Sequence, residues 1–323
     1  MPRALFLDSA TGPAIVRDLA LDALPEGDVT IRVAHSSLNY KDGLAVTGKG
    51  KIVRGAFPFV PGIDLAGTVE ASDSPDFAPG DAVILTGWGT GEARWGGFAT
   101  HARASARHLV RCPDGLSLLG AMALGTAGFT AMLAVQALEA FGLEAGGDVL
   151  VTGASGGVGS LAVHLLAGAG HRVVASSGKS ADYLARLGAA EVIGREVLGA
   201  GTHRPLEAGR WAGAVDTLGG TTLAAVLASM QTRTAVAACG NAQSPELVTT
   251  VFPFILRGVA LLGIDSNTCP APLRAAAWQA LADRVDRALL ASLTTRIGLD
   301  DVPDWAETIT NGQVQGRVVV DVA

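Results

Sequence analysis

Cysteine is scarce in this 323-residue chain, and its distribution excludes two kinds of site. The only cysteines are Cys112, Cys239 and Cys269, and no two of them form a CxxC pair. An odd number of widely spaced cysteines supports neither a disulfide framework nor a cysteine-rich zinc site. We therefore expect three reduced thiols, as is usual for a cytoplasmic protein.

Positive charge is also in short supply. The chain has 24 Lys and Arg residues against 30 Asp and Glu residues, so its formal net charge is −6. This balance argues against nucleic acid as a partner. With 49% apolar and 17% charged residues, the composition excludes a disordered chain, and the length suggests two domains or one large domain.

The sequence offers little support for a membrane segment. The apolar run at the N-terminus is broken at Asp8, which is too early for a secretory signal. Residues 115–138 carry no charge and could span a bilayer by length. They contain four glycines and several polar residues, however, and no Lys or Arg cluster flanks them. We predict a buried helix preceded by a loop, and no membrane partner.

Two patterns divide the chain near residue 120. Before this point, short strands are predicted at 29–33, 66–70 and 81–85, and the turn residues between them are typical of a barrel-like β domain. After it, apolar strands alternate with helices, which predicts an α/β fold with a parallel sheet wound by helices on both faces. The predicted strands are 148–152, 171–175, 191–193, 213–216 and 234–238, the helices 159–169, 181–187 and 272–290, and the final strand 316–320.

A glycine-rich turn joins the strand at 148–152 to the helix that follows it. Gly153, Gly156 and Gly159 have the spacing of a dinucleotide-binding turn, between an apolar strand and an apolar helix. Such glycines permit a sharp turn and a close approach of pyrophosphate, and the helix N-terminus offers N–H groups to phosphate oxygens. The alternative is a purely structural glycine turn.

The end of the next strand indicates which dinucleotide binds. An NAD site usually places an acid about 20 residues further on, where it binds the ribose 2′-hydroxyl. Residues 175–180 (ASSGKS) contain no acid, and their hydroxyls and Lys179 suit a 2′-phosphate. Tyr183 and Arg195 are further candidates for the same pocket. We predict NADPH as the cofactor, although Lys179 alone would also fit a solvated turn.

This order of domains resembles the medium-chain dehydrogenase/reductase superfamily. Zinc alcohol dehydrogenases of that superfamily carry a Gly-His-Glu stretch, and the matching place here is Gly62-Ile63-Asp64. Ile63 cannot bind a metal, and the six histidines form no ligand pair at helical spacing. We therefore predict no zinc. Catalysis without a Lewis acid suits hydride addition to an activated carbon–carbon double bond better than alcohol oxidation.

A set of short motifs narrows the resemblance to the quinone-oxidoreductase-like branch and, within it, to the acrylyl-CoA reductase subfamily. These motifs are 36–42 (SSLNYKD), 47–51 (TGKGK), 86–92 (TGWGTGE), 95–98 (WGGF), 125–132 (GTAGFTAM), 253–257 (PFILR), 263–266 (GIDS) and 313–317 (QVQGR). The subfamily reduces the double bond of acryloyl-CoA to give propanoyl-CoA, by hydride transfer from NADPH to the β-carbon. The resemblance implies a GroES-like catalytic domain at 1–120 and 267–323, a Rossmann NADP-binding domain at 121–266, and a cytoplasmic homodimer paired at a strand edge of the Rossmann sheet.

The resemblance also implies positions for the cofactor contacts. Tyr40 would lie near the nicotinamide, and residues beside the pyrophosphate, the 2′-phosphate and the nicotinamide channel would follow along the chain. The pyrophosphate contacts would be Ser155, Gly156, Gly157 and Val158; the 2′-phosphate side Ser177, Gly178 and Lys179 with Arg195 near the adenine; and the channel residues Asn241, Ile255, Ser266 and Gly312.

Candidate catalytic residues cluster in the motif 36–42. Asn39 and Tyr40 can donate hydrogen bonds to a thioester oxygen, Tyr40 or water could deliver a proton, and Asp42 could orient its neighbours. The alternative is that Asn39 and Asp42 only cap turns.

A small-molecule acyl-CoA carries phosphates, so cations should line its entry. Lys41, Lys49, Lys51 and Arg54 lie close together, and Arg257 and Arg317 stand within the motifs. A solvated basic loop is an equally good interpretation of residues 49–54. Trp88 and Trp95 could wall the acyl pocket or belong to the core.

Two other functions remain compatible with the sequence. The same fold could reduce quinones or free enones, which need no phosphate contacts. A non-catalytic NADPH-binding protein is also possible, although the retained residues 39–42 weigh against it.

Overall fold

The computed structural model describes residues 1–178, 181–199 and 204–322. Strands β1 to β15 run over Arg3–Leu7, Ala14–Asp18, Val29–Leu38, Asp64–Ser72, Ala82–Thr86, His101–Ala104, Val110–Arg111, Asp148–Thr152, Arg172–Ser176, Glu191–Ile193, Trp211–Asp216, Ala235–Ala238, Ala260–Gly263, Thr294–Gly298 and Arg317–Asp321. Helices α1 to α10 run over Tyr40–Val46, Leu118–Phe141, Gly157–Gly168, Ala181–Arg186, Glu196–Gly199, Gly220–Ala228, Phe252–Arg257, Ala271–Arg284, Arg287–Ser292 and Val302–Thr310.

The chain forms two compact units. The first unit comprises Met1–Thr126 with Ser266–Ala323, and the second unit comprises Ala127–Asp265. The first unit is built on a sheet in the order β14-β15-β3-β4-β5-β7, with β6 paired to β3. All of its strand pairs are antiparallel except β14 with β15.

Strand β3 shows how the sequence specifies this sheet. Val29, Ile31 and Val33 are buried in the main core of the first unit, while Arg32 between them is exposed. This alternation is the pattern of a strand with one face in the core. The strand runs beyond the predicted residues 29–33 because Ser36, though polar, is satisfied inside the sheet, where its Oγ donates to the carbonyl of Asp64 at 2.6 Å.

The second unit confirms the predicted doubly wound α/β fold. Its six strands are parallel and stand in the order β10-β9-β8-β11-β12-β13. The chain order reverses direction between β8 and β11, which makes this pair the switch point of the sheet. Buried apolar residues such as Leu150, Val174 and Val236 form its core, as expected for strands covered on both faces.

Helix α2 is the one helix in the described residues that is long and apolar enough to cross a membrane. In its most apolar 18-residue window, 72% of the residues are buried, which agrees with the predicted buried helix. The helix is not continuous, because Gly125 adopts φ 52° and ψ −157° and breaks it. The sequence did not predict this break.

The prediction of one helix over 272–290 is wrong. The structure has two helices there, α8 and α9, because Val285 and Asp286 are extended. The Asp286 side chain accepts hydrogen bonds from the N–H groups of Ala288 and Leu289 and thereby starts α9 as its N-cap. The short elements α7 and β13 were also missed.

Candidate functional site

The glycine-rich turn lies between β8 and α3 in the second unit, as predicted. Gly153 has φ +57°, and a Cβ atom there would lie 2.2 Å from the Thr217 hydroxyl oxygen. Only glycine therefore fits this close approach. Gly156 is the extended N-cap of α3, and Gly157 and Val158 begin the helix. The N–H groups of a first helical turn have no partner within the helix and are suited to a phosphate.

Two buried serines connect this turn to the end of β9. The Ser177 hydroxyl donates to Ser155 Oγ at 2.9 Å, and the Ser177 N–H donates to the Ile193 carbonyl at 3.0 Å. Arg195 lies directly beside Gly178: a Cβ atom added at Gly178 would be 3.0 Å from Arg195 Nε. The structure thus brings Ser155, Ser177, Gly178 and Arg195 together.

Hydroxyls and a guanidinium group fit the adenine and 2′-phosphate side of NADPH. Lys179, which was predicted for the same place, lies outside the described residues. Tyr183 was also suggested for this pocket. It is buried, and its hydroxyl hydrogen-bonds Ser160 Oγ on α3 at 2.9 Å, so it braces α4 against that helix.

The other predicted cofactor residues are divided between the two units. Asn241 is exposed in the loop after β12, and Ile255 on α7 is 68% exposed, both in the second unit. Tyr40, Ser266 and Gly312 belong to the first unit. Tyr40 is the first residue of α1 and is 48% exposed.

Asp42 fixes the start of α1 in the first unit. Its Oδ2 accepts a hydrogen bond from the Asn39 N–H at 2.9 Å, and its Oδ1 accepts one from the Ile63 N–H at 2.8 Å. Burial, followed by the nearby Asp64 carboxylate, raises the pKa of Asp42 to about 7 against these hydrogen bonds. This arrangement holds the helix that presents Tyr40.

Asn39 is the centre of a buried polar cluster. Its amide nitrogen lies 2.9 Å from Asp64 Oδ2 and 3.2 Å from Asp42 Oδ2, and its Oδ1 accepts a hydrogen bond from Arg317 Nη1 at 3.2 Å. Ser37 joins the cluster by donating to Asp64 Oδ2 at 2.6 Å. Because the amide is already engaged, a donor role for Asn39 toward a substrate requires an exchange of these bonds.

Sequence reasoning did not place Asp64 in the site, and it suggested Arg317 for phosphate contacts rather than for this cluster. Asp64 is fully buried and also accepts hydrogen bonds from the N–H and hydroxyl of Thr126. The break at Gly125 allows this, because a Cβ atom there would lie 2.5 Å from Asp64 Oδ2. The sequence signal that could have identified Asp64 was its position after Gly62-Ile63, where zinc enzymes of the same superfamily have Glu.

The two arginines suggested for phosphate contacts have other partners. Arg317 is buried and donates to the Ala123 carbonyl at 2.8 Å as well as to Asn39. Arg257 Nη1 donates to the carbonyls of Ala228 and Met230 at 3.0 and 2.8 Å, at the end of α6. Their guanidinium groups hold protein backbone, which the motif positions did not reveal.

The basic segment near α1 is largely paired with acids. Glu92 accepts hydrogen bonds from both Lys41 and Arg54 at 2.9 Å, and Lys49 pairs with Glu307 at 2.5 Å. Lys51 is exposed. The net positive charge offered to a phosphate is therefore smaller than the sequence suggested.

The two tryptophans pack on aromatic neighbours of the first unit. The Trp88 ring stacks on His108 with centroids 5.1 Å apart, and Trp95 meets Phe6 edge to face at 5.6 Å.

Within the described ranges, no group of three or more His, Cys, Asp or Glu side chains is placed to hold a metal ion.

The sequence is similar to those of known proteins along most of its length. Residues 25–114 match the Alcohol dehydrogenase GroES-like domain. The chain is 50% identical over 318 residues to the acrylyl-CoA reductase AcuI of Ruegeria pomeroyi, covering 98% of this chain and 96% of the relative. The chain belongs to the acrylyl-CoA reductase family. This family lies within the medium-chain dehydrogenase/reductases, as the sequence motifs implied.

Solved structures of similar sequence have the same fold. The YhdH oxidoreductase of Salmonella enterica, crystallised in complex with NADP, is 50% identical, with a TM-score of 0.97 and full coverage of both chains. The YhfP protein of Bacillus subtilis, crystallised with NAD bound, is 44% identical, with a TM-score of 0.95 over 99% of each chain.

Proposed function

We propose that this chain reduces the carbon–carbon double bond of acryloyl-CoA to give propanoyl-CoA, with NADPH as the reductant. The observation that carries the proposal is the similarity to the Ruegeria pomeroyi enzyme along nearly the whole of both chains. The fold, the glycine-rich turn and the motif at 36–42 are all present in one chain, as the reaction requires.

NADPH supplies a hydride when it is bound. Ser155, Gly156, Gly157 and Val158 would hold its pyrophosphate at the start of α3, where N–H groups face an anion. The 2′-phosphate side would fall to Ser177, Gly178 and Arg195, and to Lys179. We retain Asn241, Ile255, Ser266 and Gly312 as proposed contacts of the nicotinamide half.

The first unit would supply the groups that act on the thioester. Tyr40 is the candidate proton donor because its ring is exposed at the first position of α1. Asn39 and Asp42 would hold that position through the capping bond between the Asn39 N–H and Asp42 Oδ2. We retain the assignment of 1–120 and 267–323 to catalysis and of 121–266 to NADP binding as part of the proposal.

We also propose a cytoplasmic homodimer, paired through β13. This strand stands at one edge of the parallel sheet, and Leu261 within it and the adjoining Leu256 are 37% and 61% exposed. A second copy that pairs with the edge would satisfy its backbone groups and cover these side chains. Light scattering on the eluted protein tests this, with a mass near twice 32.7 kDa expected.

The test of function is NADPH oxidation followed by absorbance, with acryloyl-CoA, free acrylate and a simple quinone assayed side by side and with NADH in place of NADPH. Turnover confined to acryloyl-CoA with NADPH is the expected result. Turnover of the quinone without the thioester would overturn the substrate and favour the alternative reductase. Binding of NADPH without any turnover would point to a non-catalytic protein.

A further inference from the structure

Two fully buried polar side chains meet at the switch point of the parallel sheet. Thr152 is the last residue of β8 and Asp216 is the last residue of β11. The Thr152 hydroxyl lies 2.7 Å from Asp216 Oδ1 and donates to it. Among the described residues Asp216 has no ion-pair partner, so the carboxylate is held by neutral donors alone.

The same two residues organise the turn that follows β11. Asp216 Oδ2 accepts the N–H of Gly219 at 2.7 Å, and Thr152 Oγ1 accepts the N–H of Thr217 at 3.0 Å. The Thr217 hydroxyl in turn donates to the Thr152 carbonyl at 3.0 Å. The turn at 217–219 is therefore fixed directly to the last residue before the glycine-rich loop.

This turn also fixes the next loop of the sheet. The N–H of Gln243 donates to the Leu218 carbonyl at 2.9 Å, and the N–H of Cys239 donates to the Asp216 carbonyl at 2.9 Å. The Gln243 side chain accepts the N–H of Thr222 at 3.0 Å. Asn241 lies within the loop that these bonds hold.

We infer that Thr152 and Asp216 form a positioning pair that sets the loop of Asn241 against the glycine-rich loop, and so aligns the nicotinamide half of NADPH with its pyrophosphate. This inference rests on the proposed NADPH site. The adenine side uses β8, β9 and β10, on one side of the switch point, and the Asn241 loop follows β12, on the other. The pair is a buried side-chain link across that boundary, at the end of the sheet where the glycine-rich loop begins, and we assign it a positioning role.

The test compares two ligands on the intact protein. NADPH needs both sides of the switch point, whereas adenosine 2′,5′-bisphosphate carries no nicotinamide and needs only the adenine side. The variant Thr152→Val keeps the shape of the side chain and removes its hydroxyl, and Thr152→Ser keeps the hydroxyl as the matched control. Dissociation constants are measured by calorimetry for the bisphosphate and by the fluorescence of bound NADPH.

We expect Thr152→Val to weaken NADPH binding about tenfold, the loss of a typical buried hydrogen bond. Binding of the bisphosphate should change less than about twofold, and Thr152→Ser should bind both ligands like the wild type. Asp216→Asn should act in the same direction, because its amide would face the N–H of Gly219. Equal losses for both ligands, or no loss for either, would overturn the inference.

These outcomes are separable from the proposed function. A wild-type protein that binds NADPH but leaves acryloyl-CoA unreduced would remove the substrate and leave the binding comparison valid. A wild-type protein that does not bind NADPH would overturn both. Circular dichroism of each variant identifies a loss of fold. If Thr152→Val does not fold, the affinities of Asp216→Asn for NADPH and for the bisphosphate decide the inference.

Discussion

Each unit of the protein contains a fully buried aspartate that accepts a hydrogen bond from a threonine hydroxyl, and the two differ in how their charge is balanced. Asp64 in the first unit shares its cluster with Asp42 and with the buried Arg317. In the part of the chain that the structure describes, the groups that donate to Asp216 in the second unit are hydroxyl and N–H groups. Asp64 therefore lies in a network with a second carboxyl group and a cation, whereas the donors to Asp216 are neutral. We call these the charged and the neutral network.

This difference predicts how each network responds to damage. Removal of one charge from a network of buried charges leaves the others uncompensated, which is more costly than the loss of a hydrogen bond. In the second unit, replacing Asp216 by Asn removes the carboxylate itself and leaves only N–H or hydroxyl groups unpaired. The first unit should therefore be the more sensitive of the two.

Arg317→Met should cause the largest loss. The change keeps much of the side-chain length but removes the cation beside Asn39, with Asp64 and Asp42 left in one buried cluster. We expect the free energy of unfolding to fall by about 3–5 kcal/mol. Urea denaturation measures it, and Arg296→Met is the control because Arg296 pairs with Asp321 at the surface. A similar small loss in both variants would contradict the comparison.

Asp216→Asn should cause a smaller loss in the second unit. The amide can still accept the Thr152 hydroxyl, but its NH₂ group would face the N–H of Gly219, which now donates at 2.7 Å. A lost or unsatisfied buried hydrogen bond costs about 1–3 kcal/mol. The same urea titration measures it. A loss as large as that of Arg317→Met would show that the neutral network is no more tolerant than the charged one.

The local elements of these networks were predictable, but their connections were not. The strands at 148–152 and 191–193 were predicted with the bounds that the structure has. Buried parallel strands are runs of apolar, often β-branched residues, so their pattern is local. The spacing of Gly153, Gly156 and Gly159 likewise specifies a turn within a few residues.

Long-range contacts explain what was missed. The break in α2 depends on Gly125 lying against Asp64, a residue far away in the chain. The sequence motif suggested Arg317 for phosphate contacts, whereas its burial against Asn39 and Ala123 is decided by the sheet that brings them together. The single helix predicted at 272–290 failed for a local reason, because Asp286 accepts the N–H groups of Ala288 and Leu289 and starts a second helix.

A pH titration sharpens the comparison within the charged network. The folded pKa of Asp42 is raised from 3.8 to about 7, so the native state binds more protons than the unfolded state between these values. The stability that this carboxyl contributes is complete below its unfolded pKa and is lost as pH rises through about 7. Between pH 6 and 7 the wild type should lose about 1 kcal/mol relative to Asp42→Asn. Parallel stability curves for the two proteins over this range would contradict the prediction.

The smallest effect is expected where the cations are exposed. Glu92→Gln removes the acid that pairs with both Lys41 and Arg54; the two cations are 44% and 60% exposed, and the Glu92 side chain is 13% exposed. Pairs of this kind are screened by water and salt, so thermal unfolding should change by less than about 1 kcal/mol. Glu307→Gln, which frees Lys49 alone, is the control. If Glu92→Gln destabilised the protein as much as Arg317→Met, solvent exposure of the cations would not determine how much an ion-pair network contributes to stability. A small change would instead leave a folded protein in which Lys41 and Arg54 lack their acidic partner. The attraction of this segment for the phosphates of an acyl-CoA can then be measured as a salt-dependent fall in KM for the thioester that a quinone does not share.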